Sequence, residues 1–157
     1  MATWAEMAAA VPEIGAAGEA LFYQHGVGLA FLATVTSEGD PRLHPVCPLL
    51  DGAGVYVFVV PSPKRRDLHR DGKYALHSFP CDDNEDAFSL TGRARPVADP
   101  ELRAALAGRF VRERARFSVP PPPADHDLFE FHIDTALLTR TTGHGDGAPA
   151  HTVWHAG

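Results

Sequence analysis

Cysteine is scarce in this sequence. Cys47 and Cys81 allow one bridge at most and exclude a disulfide framework. Cys47 stands in an apolar run and reads as a small buried hydrophobe, and Cys81 stands in a polar loop. Long apolar runs are missing, so no membrane-spanning helix is expected. The first residues carry Glu6 and no basic side chain, which is not a secretory leader and makes the cytoplasm the expected compartment. Cations are outnumbered, 14 Lys and Arg against 20 Asp and Glu, for a net charge of −6. Such a balance argues against nucleic acid or anionic lipid as a partner of the whole surface. No glycine-rich dinucleotide loop and no phosphate loop occurs. Nine histidines are present, yet only His151 and His155 stand four apart, in a segment without helical period, so no metal site is expected.

What is there fits one domain: 157 residues, 45% of them hydrophobic. Trp4 to Gln24 reads as helix, with Val11, Ile14, Ala17 and Leu21 at helical spacing and Pro12 opening the better half. The period then shortens. Leu29–Thr36, Leu43–Leu50 and Val55–Val60 are strand candidates joined by the turn compositions SEGD and DGAG. Pro45 and Pro48 put the second near an edge. Pro63–Arg70 predicts a short helix, Tyr74–Phe79 and Phe88–Val97 two further strands, and Asp99-Pro100 the start of a helix reaching about Phe117. Four prolines, Pro120–Pro123, make a rigid loop before a last strand, Leu128–Leu138. The expectation is a mainly β fold: six antiparallel strands, a helical lead-in over residues 1–25, a barrel domain over 1–140 and a loose tail over 141–157. Val55–Val60 is apolar on both faces and predicts cover by a helix or a second subunit.

Ser62, Lys64, Arg65 and Arg66 follow that strand closely. A hydroxyl and two or three cations at a helix start make an anion site. The same run is also readable as a solvated basic stretch balanced by Asp67 and Asp71. No side chain is singled out as a proton donor, His44 and Tyr56 being the candidates, and His44 is equally readable as a histidine at a strand edge.

Three stretches together carry a resemblance: the opening hairpin LAFLATVTSEGDPRLHPVCPLLDGAGVYVFV, then SPKRRDLHRDGKYAL, then FSLTGRARPV before a helix. In order and spacing the chain resembles the pyridoxamine 5'-phosphate oxidase-like, FMN-binding split β-barrels, from about Gly26 to Arg140. The resemblance implies a homodimer with the cofactor in a groove between subunits. It implies FMN as cofactor and oxidoreductase chemistry on a small organic substrate, with a deazaflavin (F420) or a non-catalytic flavin- or haem-binding role as the alternative. It places the cofactor ring against His44, Pro45, Val46 and Cys47, and its phosphate near Val60, Ser62, Lys64 and Arg65. It also brings the C-terminal segment, with Trp154, over the neighbouring subunit's side of the groove, the alternatives read from the residues being docking on the chain's own barrel end or a frayed end.

Overall fold

A computed structural model describes all residues, Met1–Gly157. Helices α1 (Trp4–Ala10) and α2 (Pro12–Phe22) lead in. Thr3 caps α1 in a reciprocal arrangement with Glu6, and Pro12 occupies the first turn of α2. Strands β1 (Ala30–Val35), β2 (Pro41–Val46), β3 (Leu49–Leu50) and β4 (Val55–Val59) follow. After helix α3 (Pro63–Asp71) come β5 (Lys73–Ser78) and β6 (Ala87–Pro96). Helix α4 (Pro100–Glu113) precedes β7 (Asp127–Arg140) and β8 (Ala150–His155).

The strands form one curled antiparallel sheet in the order β2-β1-β5-β6-β7-β4-β3, with β8 beside β7. This is a split β-barrel: β2 and β3 are neighbours in sequence yet lie at opposite edges of the sheet. The crossing falls at Cys47-Pro48, where proline cannot donate to a ladder. β7 is long enough to pair β4 through Asp127–Glu130 and β8 through Thr135–Arg140. Between them the chain start bridges in, Ala2 N–H donating to the Ile133 carbonyl at 2.8 Å and receiving the return bond at 2.7 Å.

The core lies on the inner face of the sheet under α1 and α2, where Phe22, Leu32, Leu76, Phe88, Leu90, Phe129 and Phe131 are all fully buried. Phe88 sits edge-on to both Trp4 and Phe22 at 6.1 and 5.3 Å. Helix α3 is closed by Gly72 at φ +68°, where a β-carbon would lie 2.4 Å from the Ala94 carbonyl oxygen. Only glycine lets α3 turn so close to β6.

Two expectations change, and a third narrows to one of its alternatives. The sheet has eight strands rather than six, because Leu49–Leu50 pairs separately with β4 and because Ala150–His155 is a strand. The latter lies in the segment expected to be a loose tail. Its short alternation, HTVWH, carries little signal alone, and it is the free edge of β7 that orders it by pairing. Trp154 turns inward beside Ala136 and packs, half-buried, on the chain's own core. Helix α4 stops at Glu113 and passes into a short 3-10 turn, Ala115–Phe117. Finally, both faces of β4 are covered within one chain: Val55, Val57 and Val59 face the core, while Tyr56 and Phe58 lie under α4 with Leu102, Leu106 and Phe110. β4 therefore needs no second subunit.

Candidate functional site

The crossing between the two sheet edges leaves a seam. Pro45 and Val46 line it from β2, Cys47 from just past it, Phe58 from β4 with Val60 just after, and Lys64 from the first turn of α3. The far wall is Phe110 of α4, His126 and a strap, Val119–Pro123. The cavity measures about 480 Å³, within the usual size for a small-molecule site.

Helix α3 is held in place from two sides. Ser62 caps it, its Oγ accepting from Arg65 N–H and donating to the Val60 carbonyl at 2.8 Å. Asp67, only 4% exposed, accepts from Thr34 Oγ1 at 2.8 Å, Arg42 Nε at 2.9 Å and Arg70 Nη1 at 3.2 Å. Burial alone would raise its pKa, but hydrogen bonds from Arg42, Thr34 and Arg70 outweigh it and hold the carboxyl below its ordinary value. On the other side Arg65 Nη1 donates to the Asp125 carbonyl at 2.7 Å, and Asp127 meets His69 Nε2 at 2.7 Å and Arg65 Nε at 3.6 Å.

These bonds fix the pH behaviour. A carboxyl whose pKa is lowered by folding stabilises the fold above its unfolded pKa, and that contribution is lost as pH falls through the lower folded value. Asp67→Asn should cost on the order of 3 kcal/mol at pH 7. It should also flatten the loss of stability below about pH 4. Denaturant melts at neutral and acid pH check this. An equal deficit at both would show that the Asp67 charge contributes nothing.

The cations of the basic run therefore differ. Arg65 is committed to β7, and the Ser62 hydroxyl to the α3 cap. Arg66 is exposed. Lys64 stands on the cavity wall with no carboxylate against it, and burial alone pulls its pKa down. An ammonium partly stripped of water and left without a partner fits a phosphate or carboxylate.

His44 lies on the inner side of β2, opposite Leu32, and does not reach the cavity wall. Its Nε2 is buried with no hydrogen-bond partner. Burial first, then the charges of Lys64 and Arg42, push its pKa down against the pull of Asp67, so the ring is neutral at pH 7. Tyr56 is buried under α4 and its pKa is pushed up to about 12, chiefly by burial, which removes it from proton transfer at the seam.

Of the residues picked out from the sequence, Pro45, Val46, Cys47, Val60 and Lys64 come together on one cavity. His44, Ser62 and Arg65 do not line it, and Trp154 packs elsewhere on the same chain. Sequence reasoning missed Phe58, Phe110, His126 and the strap. The proline run was legible as rigid, but nothing local says which surface a rigid loop lies against. Arg103 does that: it donates to the Pro123 carbonyl at 3.1 Å while its guanidinium lies 5.2 Å from the Phe58 ring centre. Behind it the buried Arg114 stacks on Phe110 at 4.2 Å and donates to the Gly28 carbonyl at 3.1 Å.

The fold recurs in solved proteins. The haem-binding protein of Mycobacterium smegmatis matches with a TM-score of 0.65 at 22% identity, over 87% of this chain and 57% of that one. ChuZ of Campylobacter jejuni matches at 0.67 and 12%, over 91% and 63%. HutZ, a haem storage protein of Vibrio cholerae, matches at 0.57 and 18%, over 78% and 89%. The chain thus spans less than two thirds of the first two, and identities this low show the fold alone. No curated protein matches it. The family model of pyridoxamine 5'-phosphate oxidase, however, matches residues 20–140, from the end of α2 through the whole of β7, and the chain belongs to that family.

Proposed function

We propose that the protein binds a planar cofactor with an anionic tail at the seam, FMN in the first place, and acts with it as an oxidoreductase on a small organic molecule. The observation that carries this is Lys64, a partly desolvated ammonium without a carboxylate partner on the wall of a cavity whose other lining, His126 apart, is apolar. Lys64 meets the phosphate and Arg66 adds charge from solvent. The backbone of Pro45–Cys47 flanks the ring, and the strap keeps water from one side. Bound FMN supplies the electron and hydride chemistry, and the chain supplies orientation and a dry wall. A second reading is haem, supported by His126 on the cavity wall and by the haem-binding proteins of like fold. Its propionates suit Lys64 as well as a phosphate does.

The working unit on this reading is a cytoplasmic homodimer, a setting in which the free Cys47 and Cys81 stay reduced. Support for the dimer comes from the outer face of the sheet. Helix α4 covers only its β4 end. Across six strands, Pro45, Phe31, His77, Ser89, Leu137 and Val153 stand in one row, and Leu43, Ala33, Ala75, Thr91, Thr135 and His155 in the next. Neither row holds an Asp, Glu, Lys or Arg. Leu43 and Val153 are 64% and 51% exposed. A wide uncharged face of this kind marks an interface, and a self-complementary one suits a two-fold pair.

The test is titration of the purified chain with FMN, a deazaflavin and haemin in parallel. Saturable FMN binding at one equivalent per chain is expected. Haemin binding alone, with a Soret shift abolished by His126→Ala, moves the assignment to the second reading. No binding of any of them overturns both.

A further inference from the structure

We propose that the strap side of the seam is a pocket for a neutral, apolar ring compound, so that the substrate class is hydrophobic and uncharged where it meets this wall. The proposal rests on the reading of the seam as a cofactor site and names what the other side of that site accepts. The strap is poor in hydrogen-bond donors. Pro120–Pro123 are four consecutive residues with no backbone N–H. The Pro123 carbonyl is already taken, accepting from Arg103 Nη2 and from His126 N–H, each at 3.1 Å. Phe58 and Phe110 line the same cavity, edge to face at 6.2 Å. A ligand acceptor placed between strap and aromatics meets no N–H from Pro120–Pro123, so each acceptor it buries there loses a water bond without replacement, and only a donor aimed at a strap carbonyl is compensated. An apolar ring loses nothing and gains contact with proline and phenylalanine faces. Lys64 and Cys47 lie on the β2–α3 flank and His126 at the strap's far end. Donors to a ligand are therefore confined to the margins, which leaves the middle to shape and burial. The wall is also stiff, since proline fixes its own φ and Arg103 ties the strap to α4 and to the Phe58 ring. A stiff wall discriminates by shape, because it does not collapse onto a smaller ligand.

The probe is phenylnaphthylamine, a neutral two-ring compound with an appended phenyl group, measured by equilibrium dialysis against the whole chain with and without saturating FMN. One equivalent per chain is expected in both conditions. The double variant Pro121→Ser/Pro122→Ser restores two N–H groups and loosens the strap. It should weaken probe binding by about tenfold, near 1.4 kcal/mol, and weaken FMN binding by much less. Val119→Glu, a second strap variant, should do the same. Absence of probe binding, binding unaffected by either variant, displacement of the probe by FMN, or an equal loss of FMN affinity each overturns the proposal. Should the probe bind as expected while FMN does not bind at all, the cofactor reading falls and the apolar pocket stands.

Discussion

Replacing Lys64 by alanine should weaken FMN binding tenfold to a hundredfold while leaving riboflavin binding and the melting temperature of the cofactor-free protein unchanged. A hydrogen bond to a charged group contributes about 1.5–3 kcal/mol, which is about one to two powers of ten in affinity. The fold is spared because the Lys64 ammonium has no carboxylate partner to strand when it goes. Arg65→Ala is the instructive contrast. It removes the donor to the Asp125 carbonyl and the partner of Asp127, so it should lower stability and affinity together by loosening α3 from β7. Parallel titrations of both variants with FMN and riboflavin decide the matter. If the unaltered protein binds the two flavins equally, no phosphate site operates at Lys64.

Thr91→Arg should convert the proposed dimer to a 16.9 kDa monomer that remains folded. Thr91 is exposed in the single chain and lies in the second uncharged row, between Ala75 and Thr135. On an isolated chain an arginine there stays in water and costs little. Across a two-fold interface it brings two guanidinium groups into an uncharged surface that has no carboxylate to meet them, a penalty of several kcal/mol per buried ion. Sedimentation at micromolar concentration, read beside the circular dichroism of the same sample, checks both halves. A dimer that survives the substitution places the interface elsewhere. A monomer in the unaltered protein removes the dimer altogether.

The two predictions test different kinds of knowledge. Local chemistry is readable from a string of residues, because caps, turns and proline act within a few positions. Asp99 before Pro100, Pro12 at a first turn and the glycine of SEGD each announce an element boundary that the structure carries. The basic run after β4 announced itself in the same way. What could not be read there is which of its members is free, since the partners are distant in sequence: Asp67 meets Thr34, 33 residues back, and Arg65 meets Asp125, 60 residues on.

The β4 strand shows the same limit from another side. Its two apolar faces correctly said that both sides are covered. The covering helix is α4, more than 40 residues later, and pattern alone does not distinguish a helix of the same chain from a neighbouring subunit. β8 is the converse case. Its six residues carry too weak a pattern to specify a strand, and the unpaired edge of β7 beyond Glu130 supplies the hydrogen-bonding partner that makes them one.

The class of the fold, the order of its elements, the edge character of the Pro45–Pro48 segment and the residue types able to meet an anion are all written in the residues, because each depends on short-range sterics, periodicity and charge. Only the tertiary structure decided that β2 and β3 part to opposite edges and leave a seam, and that Lys64 alone of its run faces that seam without a partner. It likewise decided that the proline strap forms the seam's far wall and that two uncharged rows line up across six strands. Those features are set by strand register and by contacts between residues far apart in the chain, and register is a property of paired strands that no single strand contains.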